Sequence, residues 1–257
     1  MIPLKTDKEI EMMKEGGKIL STVMDVLLSH SKEGVVLSDL DKLAESEIRK
    51  RGAEPSFQKV PGYKYSICAC INEVIVHGIP NEYVICPGDI VGIDCGVFYK
   101  GFHTDSSWSI RVPTGANQSP NKIDHFLDIG KKALFKGIAQ VKEGNYIYDI
   151  SRAIETTVVP AGYSVSNLLI GHGVGRELHE DPEVPGMRVG KRLKTPKIVS
   201  GMVLAVEVIY AMGKSNIAYR KNDEWTIITK DGTLSGLFEA TVAVSSHGSL
   251  VLTKTYA

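Results

Sequence analysis

The feature that most constrains the fold is an internal repeat. Lys32-Glu33-Gly34 recurs as Lys142-Glu143-Gly144. At the same offset of 110, Asp39-Leu40 matches Asp149-Ile150, Glu45 matches Glu155 and Gly52 matches Gly162. Further on, GDIVGID (88–94) matches GMVLAVE (201–207) at an offset of 113, which aligns Asp94 with Glu207. Solenoid repeats run to about 20–50 residues, so this period is far too long for a stacked array. It predicts a single domain over 1–257 built from two related halves, about 1–112 and 121–257, joined by the loop-like stretch PTGANQSP at 113–120.

Each half reads as two helices followed by strands. Ile10, Met13, Ile19, Val23, Leu27 and Leu28 recur at helical spacing and predict a helix over 7–29. A second is predicted from Ser38, as N-cap, to about Arg51, with Gly52 as the stop. Strands are predicted near 66–72, 89–98 and 103–112. The second half repeats the order, with helices over 121–141 and 147–159 and strands near 202–211, 224–229, 237–245 and 249–253. The class this gives is α+β, with helices packed on antiparallel sheet.

The bulk numbers exclude several function classes. Thirty basic and 30 acidic residues balance to zero net charge, without a basic stripe, so direct nucleic-acid binding is not expected. The N-terminal MIPLKTDKEIEMMKEGG lacks the apolar core of a signal peptide, and no apolar run approaches the ~18 residues of a membrane span. Cys68, Cys70, Cys86 and Cys95 form no C-x-x-C pair, and they read as reduced thiols of a cytoplasmic protein.

Two aspartates stand in a run that otherwise looks like buried sheet. Asp94 interrupts Ile90, Val91, Ile93, Val97 and Phe98, and Asp105 precedes Trp108 and Ile110. If Lys100-Gly101 makes a two-residue turn, Tyr99 pairs with Phe102 and Asp94 with Ser107. Asp105 then lies diagonal to Asp94 on the same face, at roughly 7–8 Å along the backbone. Two ionised acids converging there would repel without a cation. The second half repeats the pattern: Glu207 follows Val203-Leu204-Ala205-Val206, and Glu239 sits in SGLFEATVAV.

Histidine extends the set. His172 and His179 lie in GHGVGRELHEDP, and His77 lies in NEVIVHGIPN. The glycines at 171, 173 and 175 do not match dinucleotide spacing. His103 shares a strand face with Asp105 and is expected to support it, whereas His30, His125 and His247 carry no signal. Carboxylates with an imidazole suit two divalent ions about 3.5–4 Å apart better than one thiolate-bound zinc.

On these residues the sequence resembles the methionine aminopeptidases, type I, in their bacterial form. The resemblance spans KTDKEIEMMKEGGKI, NEVIVHGIP, GDIVGIDCGVFYKGFHTDSS, GHGVGRELHEDP, the Glu207 strand and DGTLSGLFEATV. It implies the pita-bread fold, in which two pseudo-symmetric halves enclose a dinuclear site. It also implies that Asp94, Asp105, His172, Glu207 and Glu239 bind two divalent ions (Mn, Fe(II), Co or Zn). Asp105 and Glu239 would bridge, Asp94 would complete one ion, and His172 with Glu207 the other. A bridging water would attack the first peptide bond, with Glu207 as proton shuttle. His179 would stabilise the tetrahedral intermediate, and His77 would contact substrate near the scissile amide. Phe57, Val60, Tyr63, Cys68, Leu178 and Trp225 would line the methionine pocket, and Asn72, Val74 and Ser235 would form a monovalent-cation site. The implied role is removal of the initiator methionine from nascent chains whose second residue is small, by a monomer working in the cytoplasm, with ribosome association as a further expectation.

The sequence departs from the family pattern in four places. Val208 stands where Pro usually follows the glutamate, Ala240 where His usually follows Glu239, Leu178 where Phe usually precedes the second histidine, and Val60 where an aromatic is common. Two other readings compete. One is an Xaa-Pro aminopeptidase or dipeptidase, although these relatives commonly carry an extra N-terminal domain. The other is a non-catalytic peptide-binding module on the same fold, which would be expected to have lost ligands.

Overall fold

The computed structural model describes residues 1–115, 121–221, 223–245 and 248–256. Residues 116–120 of the expected joining loop, and His247, lie outside the described residues. The chain opens with α1 (Asp7–His30) and α2 (Leu37–Lys50), followed by β1 (Glu54–Pro55), β2 (Ile67–Ile71), β3 (Val74–Val76), β4 (Ile90–Tyr99) and β5 (Phe102–Arg111). Next come α3 (Lys122–Ile138), α4 (Ile147–Val158), β6 (Ser164–Val165), β7 (Gly171–Gly173) and β8 (Glu180–Val184). The last strands are β9 (Val203–Ala211), β10 (Ile217–Tyr219), β11 (Ile227–Thr229), β12 (Ser235–Ser245) and β13 (Gly248–Val251).

Local chemistry sets the helix limits. A capping box starts α1: Glu9 N–H donates to Thr6 Oγ1 (3.3 Å), and Thr6 N–H donates to Glu9 Oε2 (2.8 Å). Its buried stripe of Ile10, Met13, Leu20, Val23, Met24 and Leu27 follows the helical period. The start of α2 corrects the expectation at Ser38. The cap is Val36, which offers no side-chain bond, and the free helix donors go to a neighbouring loop: Leu37 N–H to Tyr83 O (3.1 Å) and Ser38 N–H to Asn81 O (2.9 Å). Gly52 ends the segment at φ 72°. A second capping box, Asn121 with Asp124, starts α3.

The hairpin has the expected register. Lys100 (φ 50°) and Gly101 (φ 87°) both take the left-handed conformation that a tight two-residue turn needs. Tyr99 then pairs with Phe102 and Asp94 with Ser107. β4 carries β5 along one edge and β2 with β1 along the other. The second sheet runs β13-β12-β9-β7-β8 with β6 also on β9, and a small third sheet runs β10-β11-β3. All of these pairings are antiparallel.

The matched positions of the repeat behave alike. Gly34 and Gly144 (φ 83° and 91°) donate to Ile85 O and Ile198 O, and Gly88 and Gly201 (φ 93° and 91°) donate to Val112 O and Val244 O. The two larger sheets meet where β5 lies against β12. Side chains stitch that seam. Asp105 N–H donates to Thr241 Oγ1 (2.9 Å), which donates back to Asp105 O (2.8 Å). Ser106 Oγ donates to Glu239 O (3.2 Å) and Ser109 Oγ to Leu237 O (2.9 Å). Behind the seam, the largest core cluster runs from Leu20 and Leu27 on α1 through Trp108 to Phe126, Tyr210 and Phe238. The Trp108 and Phe238 rings meet edge-on at 4.9 Å. No described helix is long and apolar enough to cross a membrane, and all four cysteines are free.

Candidate metal centre

The seam brings the acids of both halves of the chain together. Glu207 on β9 lies directly opposite Glu239 on β12, and His172 on β7 lies opposite Ala205, two residues from Glu207 and so on its face. One donor atom each from Asp105, His172 and Glu239 falls within 4.8 Å of the others. His172 Nε2 is 3.4 Å from Glu207 Oε1. Asp94 joins through Ser107, whose Oγ is 2.9 Å from Asp94 Oδ1 and 2.7 Å from Glu239 Oε2. All five expected ligands therefore line one cavity.

The electrostatics of this cluster call for a cation. Burial raises the Asp94 carboxyl to about 7. It raises Asp105, Glu207 and Glu239 well above the carboxylate range, and the neighbouring acids push each of them further. Burial, then His179, holds the His172 imidazole down at about 4, so it is neutral near pH 7. Its Nδ1 is 2.9 Å from Gly173 O, which can only accept, so the proton sits on Nδ1 and the Nε2 lone pair faces the cluster. Ser107 has one proton for two carboxyls. Among the described residues, Glu239 Oε1 is buried with no hydrogen-bond partner. An orphaned oxygen, crowded acids and a bare imidazole nitrogen are the donors that a divalent transition metal takes. The residues fit such an ion.

One end of the cavity, about 280 Å³ in volume, is apolar. Phe57, Tyr63, Cys68 and Leu178 form a buried cluster on which Val60 and Trp225 pack. The Tyr63 ring meets Trp225 edge-on at 5.0 Å, and its hydroxyl donates to Ile67 O (2.8 Å). These contacts lock the wall. His77 and His179 are exposed to the cavity, and the His179 ring lies 4.4 Å from that of His172. His103 is buried on the strand face of Asp105 and contacts Ser56 through Nδ1. The expected monovalent-cation residues also meet: Ser235 Oγ lies 2.9 Å from Asn72 O and 2.8 Å from Val74 O, with one proton to share between them.

Two of the departures from the family pattern point away from the site. Val208 and Ala240 follow the ligands by one residue, so both face the core, where each is fully buried. The other two, Leu178 and Val60, line the cavity. The sequence pairs Ser107 with Asp94 across the hairpin but gives its hydroxyl no role, whereas in the fold that hydroxyl bridges Asp94 and Glu239. The sequence reading passed over Leu168, Leu169 and Ile170, which line the same cavity and precede the strand of His172 without any period of their own.

Comparison with known proteins gives one consistent answer. The model of metallopeptidase family M24 matches residues 11–245. A methionine aminopeptidase of Clostridium perfringens is 39% identical over 253 residues, which cover 98% of this chain and 99% of that one. The crystal structure of methionine aminopeptidase from Thermotoga maritima superposes with a TM-score of 0.93 at 32% identity, covering 99% of this chain and all of that one. A prolidase from Pyrococcus furiosus shares the fold alone, at 22% identity, a TM-score of 0.75 and 66% of its own length. With its pita-bread fold, the chain belongs to metallopeptidase family M24, among the methionine aminopeptidases.

Proposed function

We propose that this protein is a metal-dependent aminopeptidase that removes the initiator methionine from nascent proteins whose second residue is small. The observation that carries the reading is the junction of two features in one cavity: a carboxylate-imidazole cluster and, beside it, a buried apolar end wall. Such an apolar end wall accepts one apolar side chain of the substrate. The polarizable Cys68 sulfur and the aromatic rings suit a thioether.

Asp94, Asp105, His172, Glu207 and Glu239 would hold two divalent ions, of Mn, Fe(II), Co or Zn. Such ions supply Lewis acidity, lowering the pKa of water and polarising a carbonyl. The chain's own residues do the rest. Phe57, Val60, Tyr63, Cys68, Leu178 and Trp225 seat the methionine side chain and exclude water from it. Glu207 takes a proton from the attacking water and passes it to the leaving amine nitrogen. His179 donates a hydrogen bond to the oxygen on which charge develops, and His77 orients the amide. Asn72, Val74 and Ser235 would serve a monovalent cation. The enzyme is read as one catalytic domain of two related halves, 1–112 and 121–257. It would act as a cytoplasmic monomer on nascent chains, some of them at the ribosome.

The test is a peptide assay on protein stripped of metal and reloaded with Mn, Co or Fe(II), with products followed by mass spectrometry. Metal-dependent loss of methionine from Met-Gly-starting but not Met-Leu-starting peptides is expected. Cleavage of an Ala-Pro-starting peptide instead would establish the proline-specific alternative. A folded protein that takes up no metal on reloading and cleaves none of them would favour the non-catalytic module.

A further inference from the structure

The turn 174–180, between β7 and β8, presents Leu178 and His179 to the cavity, and it is anchored to the N-terminal segment. Lys5 Nζ and Glu180 Oε2 form an ion pair whose side chains are only 4% and 5% exposed. The other carboxylate oxygen, Glu180 Oε1, accepts the backbone N–H of Arg176 (2.8 Å) and of Glu177 (3.2 Å), so the turn wraps around this carboxylate. Lys5 is itself fixed by its N–H, which donates to Gly201 O (2.7 Å). Four residues on, Glu9 takes the Arg176 guanidinium in a second ion pair, while its other oxygen caps α1 at Thr6. A Cβ on Gly175 would lie 2.2 Å from Lys5 Cε and 2.8 Å from Glu180 Oε1. Gly175 is thus the residue that lets the Lys5 side chain reach Glu180.

We propose that Lys5 and Glu9 are positioning residues for the peptidase reaction: the ion pairs Lys5–Glu180 and Glu9–Arg176 fix the turn 174–180, and through it the His179 imidazole and the Leu178 wall. The inference rests on the aminopeptidase reading. Its physical basis is that a desolvated ion pair holds its partners in one geometry, and that removing one member leaves a buried charge which must find water or a proton. His179 is the residue adjacent to Glu180, so a carboxylate that turns outward takes the imidazole with it. The four acidic metal ligands lie on β4, β5, β9 and β12, outside the turn, and the fifth, His172, is held in place by the pairing of β7 with β9. Loss of the clamp therefore separates turnover from metal binding.

The experiment compares full-length wild type with Lys5→Met and Arg176→Ala. Activity is read on a Met-Gly-starting peptide with Mn(II), and Mn(II) affinity by calorimetry. Lys5→Met is expected to lower kcat at least tenfold while Mn(II) affinity stays within twofold of wild type. A kcat within twofold of wild type, or an Mn(II) affinity that falls in step with kcat, overturns the proposal. Should Lys5→Met fail to fold, Arg176→Ala carries the test, because that side chain is 67% exposed. A threefold or larger loss of kcat is expected there, and an unchanged kcat overturns the proposal. A folded wild type that cleaves no peptide would refute the aminopeptidase reading alone. The clamp would then be read from the ring resonances of His179 in the Zn(II)-loaded protein. Resonances that shift in Arg176→Ala support the clamp, and resonances that stay put overturn it.

Discussion

Asp94 should make the metal-free protein lose stability as pH rises, and Asp94→Asn should remove that loss. In the unfolded chain this carboxyl titrates near 3.8, and in the fold at about 7. Between those values the unfolded chain has released a proton that the folded chain keeps. Fewer protons are bound in the unfolded state, so stability falls with pH across this window and is fully present only below it. At about 1.4 kcal/mol per pH unit, the loss between pH 4.5 and 7.5 is about 3 kcal/mol. That is a ceiling, because Asp94 is only partly buried and cavity water screens it. His172 works in the opposite direction. Its imidazole titrates at about 4 in the fold against 6.5 unfolded, so its contribution is present above 6.5 and is lost as pH falls. The measurement is therefore a difference. Chelator-treated wild type and Asp94→Asn are unfolded in urea at several pH values, and the gap between their free energies is followed. The wild type should lose up to about 3 kcal/mol relative to the variant by pH 7.5. Adding Mn(II) to the wild type should reverse the trend, because a cation replaces the protons and binds better as they leave. Parallel wild-type and variant curves across the whole range would refute the electrostatic account of the cluster.

Other outcomes follow from single contacts. Ser107→Ala removes the hydroxyl shared by Asp94 and Glu239, and calorimetry should show metal affinity about 10-fold weaker or worse. Leu178→Phe adds apolar surface to the end wall of the cavity. It should lower KM for Met-Gly-starting peptides by up to about tenfold, on the order of 1 kcal/mol, and an unchanged or higher KM would count against the pocket assignment. Gly96→Ala would place a Cβ 2.6 Å from Ser56 Cβ and 3.0 Å from Phe57 Cε1. Urea unfolding should show a loss of about 1–3 kcal/mol from overpacking.

How much of this was legible in the sequence depended on how local the signal was. The β4–β5 register follows from one two-residue turn, so the relation of Asp94, Asp105 and Ser107 could be worked out from a short stretch of chain. The opposition of Glu207 and Glu239 could not, because no short turn links β9 to β12. Only the repeat hinted that the two would converge as the first pair does. Strands β7 and β8 escaped notice because Gly171-His172-Gly173 has no alternation to read, and its glycines serve close backbone approach instead: a Cβ on Gly171 would lie 2.4 Å from Ala205 O. Ser38 misled for a related reason. A serine before an apolar stripe predicts a cap, but the loop carbonyls of Asn81 and Tyr83, remote in sequence, had already taken the helix donors. The same holds for Lys5, which no period or turn rule singles out and which is buried against Glu180 in the fold. Period and turn chemistry report what a residue does to its neighbours in sequence. The seam, the cavity and the clamp are made by residues far apart in the chain, and for these the informative signs are the misfits: an acid in an apolar strand, and glycines that match no phosphate-binding spacing.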